Sequence, residues 1–269
     1  MTKIVIIGAG PTGLSAAYHL EKKGFFNYKI FEKEQTTGGL CRSIKQDGFT
    51  FDFTGHLLHV NDNYFKSMVE NIIGVENLNN INRRSYIYYQ DIYTKYPFQV
   101  NLFGQSPDVI ADCIEQYVTR KIKKTTPKNF NEWVLQSFGA GFGKHFFFPY
   151  QEKIFSYNTK KLSASWTGRF VPNTSLKDMI TGAIKDSEDQ IGYNSQFYYP
   201  KTGGINFWVN KIYEQLINPV HTGFEVKSIN IKEKFILFTN GHQEKYDQLI
   251  TTMPLDSFIE NSIEPADMN

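Results

Sequence analysis

The feature that most constrains this chain is Gly8-Ala9-Gly10-Pro11-Thr12-Gly13, set directly after the apolar run Ile4-Val5-Ile6-Ile7. A GxGxxG pattern alone is weak, because glycines collect in many turns. Between a strand and a helix it has a physical reading. Gly8 permits a tight turn, Gly10 lets backbone approach a diphosphate, and Gly13 lets the helix pack closely on the strand. Pro11 and Thr12 open that helix, whose unpaired N–H groups suit phosphate charge. Leu14, Ala17 and Leu20 recur at helical spacing, and Tyr28–Glu32 reads as a second strand after Gly24.

Glu32 stands 19 residues after Gly13 (32 − 13). An acid there accepts hydrogen bonds from an adenosine ribose and disfavours a 2′-phosphate. Lys33 follows, then the loop Gly38-Gly39-Leu40-Cys41-Arg42. The alternation Phe49, Phe51, Phe53 predicts a half-buried strand.

From residue 61 the pattern turns helical, over 61–73, 107–122, 130–138 and 175–185, with a β-hairpin over 85–95 turning at Gln90-Asp91. The last third returns to strands around 224–231, 234–239 and 248–252, after a helix near 205–216 and with a turn at Asn240-Gly241. The expected architecture is α/β. A Rossmann-type domain, residues 1–60 plus 195–269, is interrupted by a mainly helical insertion over 61–194 that carries the substrate.

Composition narrows the function classes. A net charge of +2 gives no electrostatic footprint for nucleic acid. Arg120, Lys121, Lys123 and Lys124 read as a solvated helix end. Two cysteines, Cys41 and Cys113, make no disulfide framework or CxxC metal pattern; Cys41 reads as a small buried filler. No apolar run approaches the ~20 residues of a membrane span, so a cytoplasmic protein is expected. His56 and His59 have no third ligand nearby, so no metal is expected. Neither GxSxG nor HExxH occurs. Most of the 23 Phe and 16 Tyr read as core.

The acid, glycine pair and arginine between Glu32 and Arg42 resemble the FAD-dependent amine-oxidoreductase superfamily. It includes amine oxidases, protoporphyrinogen oxidase, carotenoid desaturases and UDP-galactopyranose mutase. The resemblance implies FAD, with Gly38, Gly39, Leu40 and Arg42 along its pyrophosphate. Within this group the chain is most similar to the mutases of the eukaryotic branch. The motifs are Phe53-Thr54-Gly55-His56, Tyr96-Pro97-Phe98-Gln99, Pro149 to Phe155, Trp166-Thr167-Gly168-Arg169, Gly192-Tyr193-Asn194, Tyr199 to Gly204 and Thr251 to Pro254.

By that resemblance Gly55 and His56 lie against the flavin, His56 as a hydrogen-bond partner at N5. Val226 and Thr252 complete the cofactor set. His59, Tyr96, Gln99, Tyr150, Gln151, Phe155, Arg169 and Asn194 bind substrate, the aromatic and amide residues sharing one cleft. Phe155 stands where the family has Trp, Gln151 where it has Asn, and Arg169 falls one position before the pyrophosphate arginine. The family continues beyond residue 269, so a C-terminally truncated chain is expected. The implied reaction interconverts a nucleotide sugar, with reduced flavin as nucleophile and NAD(P)H a possible reductant. The alternatives are an amine-oxidase-like oxidoreductase or an inactive fragment.

Overall fold

The alternation within Ile4–Ile7 sends side chains to both faces of a sheet, and both faces are covered. The computed structural model describes residues 2–60, 62–171, 174–186 and 196–263, without the side chain of Arg169. Strand β1 (Ile4–Ile7) pairs in parallel with β2 (Tyr28–Glu32) on one side and with Gln248–Thr251 on the other. Strand β2 also takes Val220–Thr222 in parallel, completing a four-stranded sheet. Ile4, Ile6 and Ile30 pack beneath Leu14 and Ala17 of helix α1 (Pro11–Lys22) and Ile205, Val209 and Ile212. Val5, Ile7 and Phe31 face the other way, onto Ile229, Ile236 and Phe238. Those three come from an antiparallel sheet of Val226–Asn230, Phe235–Phe238 and Gln243–Lys245. Each fully buried side chain of this size contributes roughly 1.5–3 kcal/mol.

The chain divides into two compact units, Met1–Ile81 with Phe197–Asn269, and Asn82–Gln196. The first unit runs 21 residues past the boundary expected at residue 60 (81 − 60). Packing is the reason: Leu58, Val69, Ile73 and Leu78 form one cluster with Phe207 and Trp208. The helix expected over 61–73 is an α-helix, Asn63–Met68, continued by a π-helical turn, Val69–Ile73. Its Asp62 side chain accepts the Phe65 N–H as an N-cap.

One expectation fails in this unit. Phe49, Phe51 and Phe53 do share a face, but they are 67%, 55% and 45% exposed. They lie on or just after the hairpin of β3 (Ser43–Gln46) and β4 (Phe49–Asp52), and only Phe53, under the Arg42 guanidinium, is partly covered among the three. Alternation fixes which side chains lie together; it does not supply a layer to cover them.

The second unit is helical around an aromatic core. The helices Pro107–Val118, Phe130–Ser137 and Leu176–Ile184 start at Ser106, Asn129 and Ser175, whose side chains each accept a first-turn N–H. At Ser175 the Asp178 carboxylate answers back, completing a capping box. Phe98, Phe130, Phe138, Phe142, Phe146 and Phe147 fill the centre. The helix expected over 107–122 stops at Val118. Arg120 turns back to donate to the carbonyls of Tyr117 and Gln136, the place where a cation satisfies a helix C-terminus. The hairpin Tyr86–Tyr89 with Ile92–Lys95 turns at Gln90 and Asp91, both at positive φ, as a two-residue I′ turn requires.

Candidate functional site

The turn after β1 is built from close approaches. Gly8 has φ +97, and its N–H donates to the Phe31 carbonyl at 2.8 Å. A Cβ on Gly13 would collide with the Gly8 carbonyl, so helix and turn meet backbone to backbone. Gly10 precedes α1 with Pro11 as the first helical residue, and no side chain caps this end. Such an end can receive an anion. Thr12 beside it is exposed. The Thr252 backbone N–H and hydroxyl both donate to the Ile7 carbonyl, at 2.9 and 3.0 Å.

Glu32 ends β2 with 6% exposure. Its carboxylate accepts the Ala9 N–H at 2.7 Å and the Glu34 N–H at 3.0 Å. The Gly38 N–H donates to the Ala9 carbonyl at 2.9 Å, and Gly39 lies against Gly10. Arg42 donates through Nε to the Gly39 carbonyl at 2.9 Å and pairs through Nη1 with Glu34 at 3.0 Å. Its guanidinium sits 4.5 Å from the centre of the Phe53 ring. Lys33, Leu40 and Gly55 are exposed, and His59 and Val226 are half-buried. Val226 belongs to the antiparallel sheet.

His56 Nε2 lies 2.8 Å from both the Leu40 carbonyl and the Thr54 hydroxyl, and Nδ1 lies 3.8 Å from the Cys41 sulfur. Burial, then the Asp52 charge, pushes the Cys41 thiol up. Asp52 itself is pushed up by burial and pulled below the usual carboxylate range by hydrogen bonds from Ser43, Tyr199 and the Ile205 N–H. Burial and this contact push the Tyr199 phenol up to about 12. The Asp52 network binds the hairpin to the loop before helix Asn206–Tyr213, and nothing local in the sequence marks it. The Asn206 side-chain oxygen, beside Gly38, is buried without a partner.

In the second unit Tyr150 stacks on Phe146 (5.0 Å, 25°), and Phe146 stacks on Phe98 (5.2 Å, 21°). This draws the Tyr96–Gln99 segment and Tyr150 together. Burial, then Tyr150, pushes the Tyr96 phenol up, against a smaller pull from Arg83. Gln99 is 1% exposed, and its side-chain oxygen has no partner. Gln151 is buried, while Phe155 is exposed on one side and packs 6.1 Å from Trp166. Arg169 lies in the short helix Thr167–Phe170, with its side chain outside the described part, and Asn194 lies outside the described residues. Sequence reasoning missed the chain Tyr89–His145–Asp112: the Tyr89 hydroxyl meets His145 Nδ1 at 2.8 Å, and Nε2 meets Asp112 at 2.7 Å. That hydrogen bond is the main reason the Asp112 carboxyl lies low.

Among the described residues, no group of three or more His, Cys, Asp or Glu could hold a metal ion, and no helix is long and apolar enough to cross a membrane. Residues 11–265 match the family described as flavin containing amine oxidoreductase. The chain belongs to that family, and its cofactor is FAD. It is similar to the crystal structure of reduced UDP-galactopyranose mutase, with 31% identity and a TM-score of 0.90 over 98% of this chain. It spans 58% of that mutase chain. A putative protoporphyrinogen oxidase from Exiguobacterium sp. 255-15 shares the fold, with 19% identity and a TM-score of 0.71 over 97% of this chain and 61% of the other. In sequence, 62 residues are 44% identical to 4,4′-diapophytoene desaturase of Staphylococcus aureus (strain COL), covering 23% of this chain and 12% of the desaturase. No NAD(P)H partner gains support from these relatives.

Proposed function

We propose that this chain is the FAD-binding and substrate-binding portion of a flavoenzyme that interconverts a nucleotide sugar, as the mutase it resembles is named for doing. The observation that carries this reading is the 0.90 TM-score at 31% identity over nearly the whole chain. The oxidase-type neighbour reaches 0.71 at 19%, which speaks for shared fold alone.

The residues suit FAD. In this reading β1, the glycine turn, α1 and β2 form a Rossmann-type unit, with residues Asn82–Gln196 as a helical insertion. The uncapped start of α1 takes the pyrophosphate. Glu32, beside the turn, takes the adenosine ribose. Gly38, Gly39 and Arg42 line the phosphates. Leu40, Gly55 and His56 lie toward the flavin, and Thr252 holds the end of β1 beneath the turn. When bound and reduced, the flavin would supply the nucleophile for a redox-neutral rearrangement, and these residues would hold and orient it.

On the substrate side, Tyr96 and Tyr150 offer phenols and ring faces, and the unpartnered Gln99 oxygen offers a buried acceptor. Gln151, Phe155, Arg169, Asn194 and His59 complete the proposed set. Membership of the amine oxidoreductase family favours a second reading, an FAD-dependent oxidase. Reduction by dithionite followed by titration with UDP separates the two. Saturable binding that tightens on reduction supports the mutase-like reading, and absence of UDP binding in both redox states removes it.

A further inference from the structure

Cys41 and His56 are 15 residues apart in sequence and meet in space, sulfur to Nδ1, at 3.8 Å. The other ring nitrogen fixes the proton. Nε2 lies 2.8 Å from the Leu40 carbonyl, which can only accept, so Nε2 carries hydrogen. In the neutral ring Nδ1 is then an acceptor, and the group facing it is the Cys41 sulfur. We propose that Cys41 is a positioning residue: its S–H donates to His56 Nδ1 and holds the imidazole as a neutral donor through Nε2–H.

Two further observations support the pairing. Cys41 is buried in the cluster with Leu14 and Ile205, so its sulfur cannot swing away to water. Burial and the nearby Asp52 charge keep the thiol protonated, and a protonated thiol is the form that can donate. On the donor side, the Leu40 carbonyl and the Thr54 hydroxyl both lie 2.8 Å from Nε2. The functional consequence rests on the proposed flavin contact of His56. If that reading holds, a flavin acceptor takes the Nε2–H in exchange for one of these two partners. With Nδ1 engaged by the thiol, the ring makes that exchange without rotating. His56 then serves as an oriented hydrogen-bond donor.

The test uses the whole protein with ¹⁵N-labelled histidine, first without FAD. Wild type is expected to show Nε2 protonated and Nδ1 unprotonated but hydrogen-bonded. Cys41→Ala should move the Nδ1 resonance toward that of a free imine nitrogen, and Cys41→Ser, which keeps a donor, should restore it. A filler role would move neither resonance, because alanine also fills space. An unchanged Nδ1 resonance in Cys41→Ala, or an unprotonated Nε2 in wild type, overturns the proposal. If Cys41→Ala does not fold, the wild-type spectrum alone decides: an Nδ1 resonance at the position of a free imine nitrogen overturns the proposal, and one displaced from it supports the thiol contact. Adding FAD tests the underlying reading separately. A His56 Nε2 resonance that shifts on FAD binding supports the flavin contact. One that does not shift removes that contact and leaves the Cys41–His56 pair to stand on the first spectra.

Discussion

The Glu32 carboxylate accepts the backbone N–H of Ala9 at 2.7 Å, so the end of β2 is tied to the middle of the glycine turn. The same side chain takes the Glu34 N–H, which makes it a brace as well as the proposed ribose ligand. Glu32→Ala leaves two N–H groups without this acceptor and should destabilise the FAD-free protein by about 1–3 kcal/mol. Glu32→Gln keeps an acceptor oxygen and should lose less. Urea unfolding midpoints measure both, and an unchanged midpoint in Glu32→Ala contradicts the bracing role.

Gly10 and Gly13 separate cofactor approach from folding. Gly10 has an ordinary φ of −73, and an added Cβ would make ordinary contact with the Gly39 backbone, Cα at 3.7 Å and N at 3.9 Å. Gly10→Ala should therefore fold normally, yet weaken FAD binding about tenfold or more, a loss of about 1.4 kcal/mol or more. Gly13→Ala drives a methyl into the Gly8 carbonyl and should cost roughly 1–3 kcal/mol of stability. Equal FAD affinity in Gly10→Ala and wild type would place the diphosphate elsewhere.

Glu244 gives the first unit its clearest acid sensitivity. Burial pushes its carboxyl up, but Lys3, Lys29 and His242 outweigh burial and hold it at about 2, against an ordinary 4.5. A depressed carboxyl stabilises fully above its unfolded value and loses that contribution as pH falls from about 4.5 toward 2. The difference corresponds to roughly 3 kcal/mol at neutral pH. Glu244→Gln should flatten the stability profile across that window. A profile that keeps its full slope contradicts the assignment.

Two phenylalanines should behave in opposite ways. Phe98 is fully buried at the centre of the aromatic cluster, and Phe98→Ala should cost about 3–5 kcal/mol. Phe49→Ser removes an exposed ring and should change stability by no more than about 0.5 kcal/mol. Chemical denaturation of both variants checks this. A large loss in Phe49→Ser would mean that its face is covered in solution.

Local rules made part of this molecule legible in sequence. The strand, glycine turn, helix and second strand over residues 4–32 follow from side-chain period and turn chemistry, and the Gln90-Asp91 hairpin from its two-residue spacing. The strands Val220–Thr222 and Gln243–Lys245 are three residues each, too short for alternation to show, and exist because longer strands pair with them. Hydrogen bonds between distant residues leave no local pattern. Tyr199 to Asp52 spans 147 positions and Tyr89 to His145 spans 56, so neither was visible before the fold. The resemblance named residues on both sides of the proposed site. It did not show that Arg42 braces its own loop through Gly39 and Glu34.

The most direct test of the proposed function is turnover by the FAD-loaded, dithionite-reduced protein under anaerobic conditions with UDP-galactopyranose, followed by chromatography of the nucleotide sugars. The mutase-like reading predicts that the ring-contracted UDP-sugar appears over many turnovers from flavin reduced once, with the flavin still reduced at the end and no electron acceptor consumed per turnover. Absence of any isomer, together with steady peroxide production from a simple amine by the oxidised protein, would contradict it and leave the oxidase reading in its place.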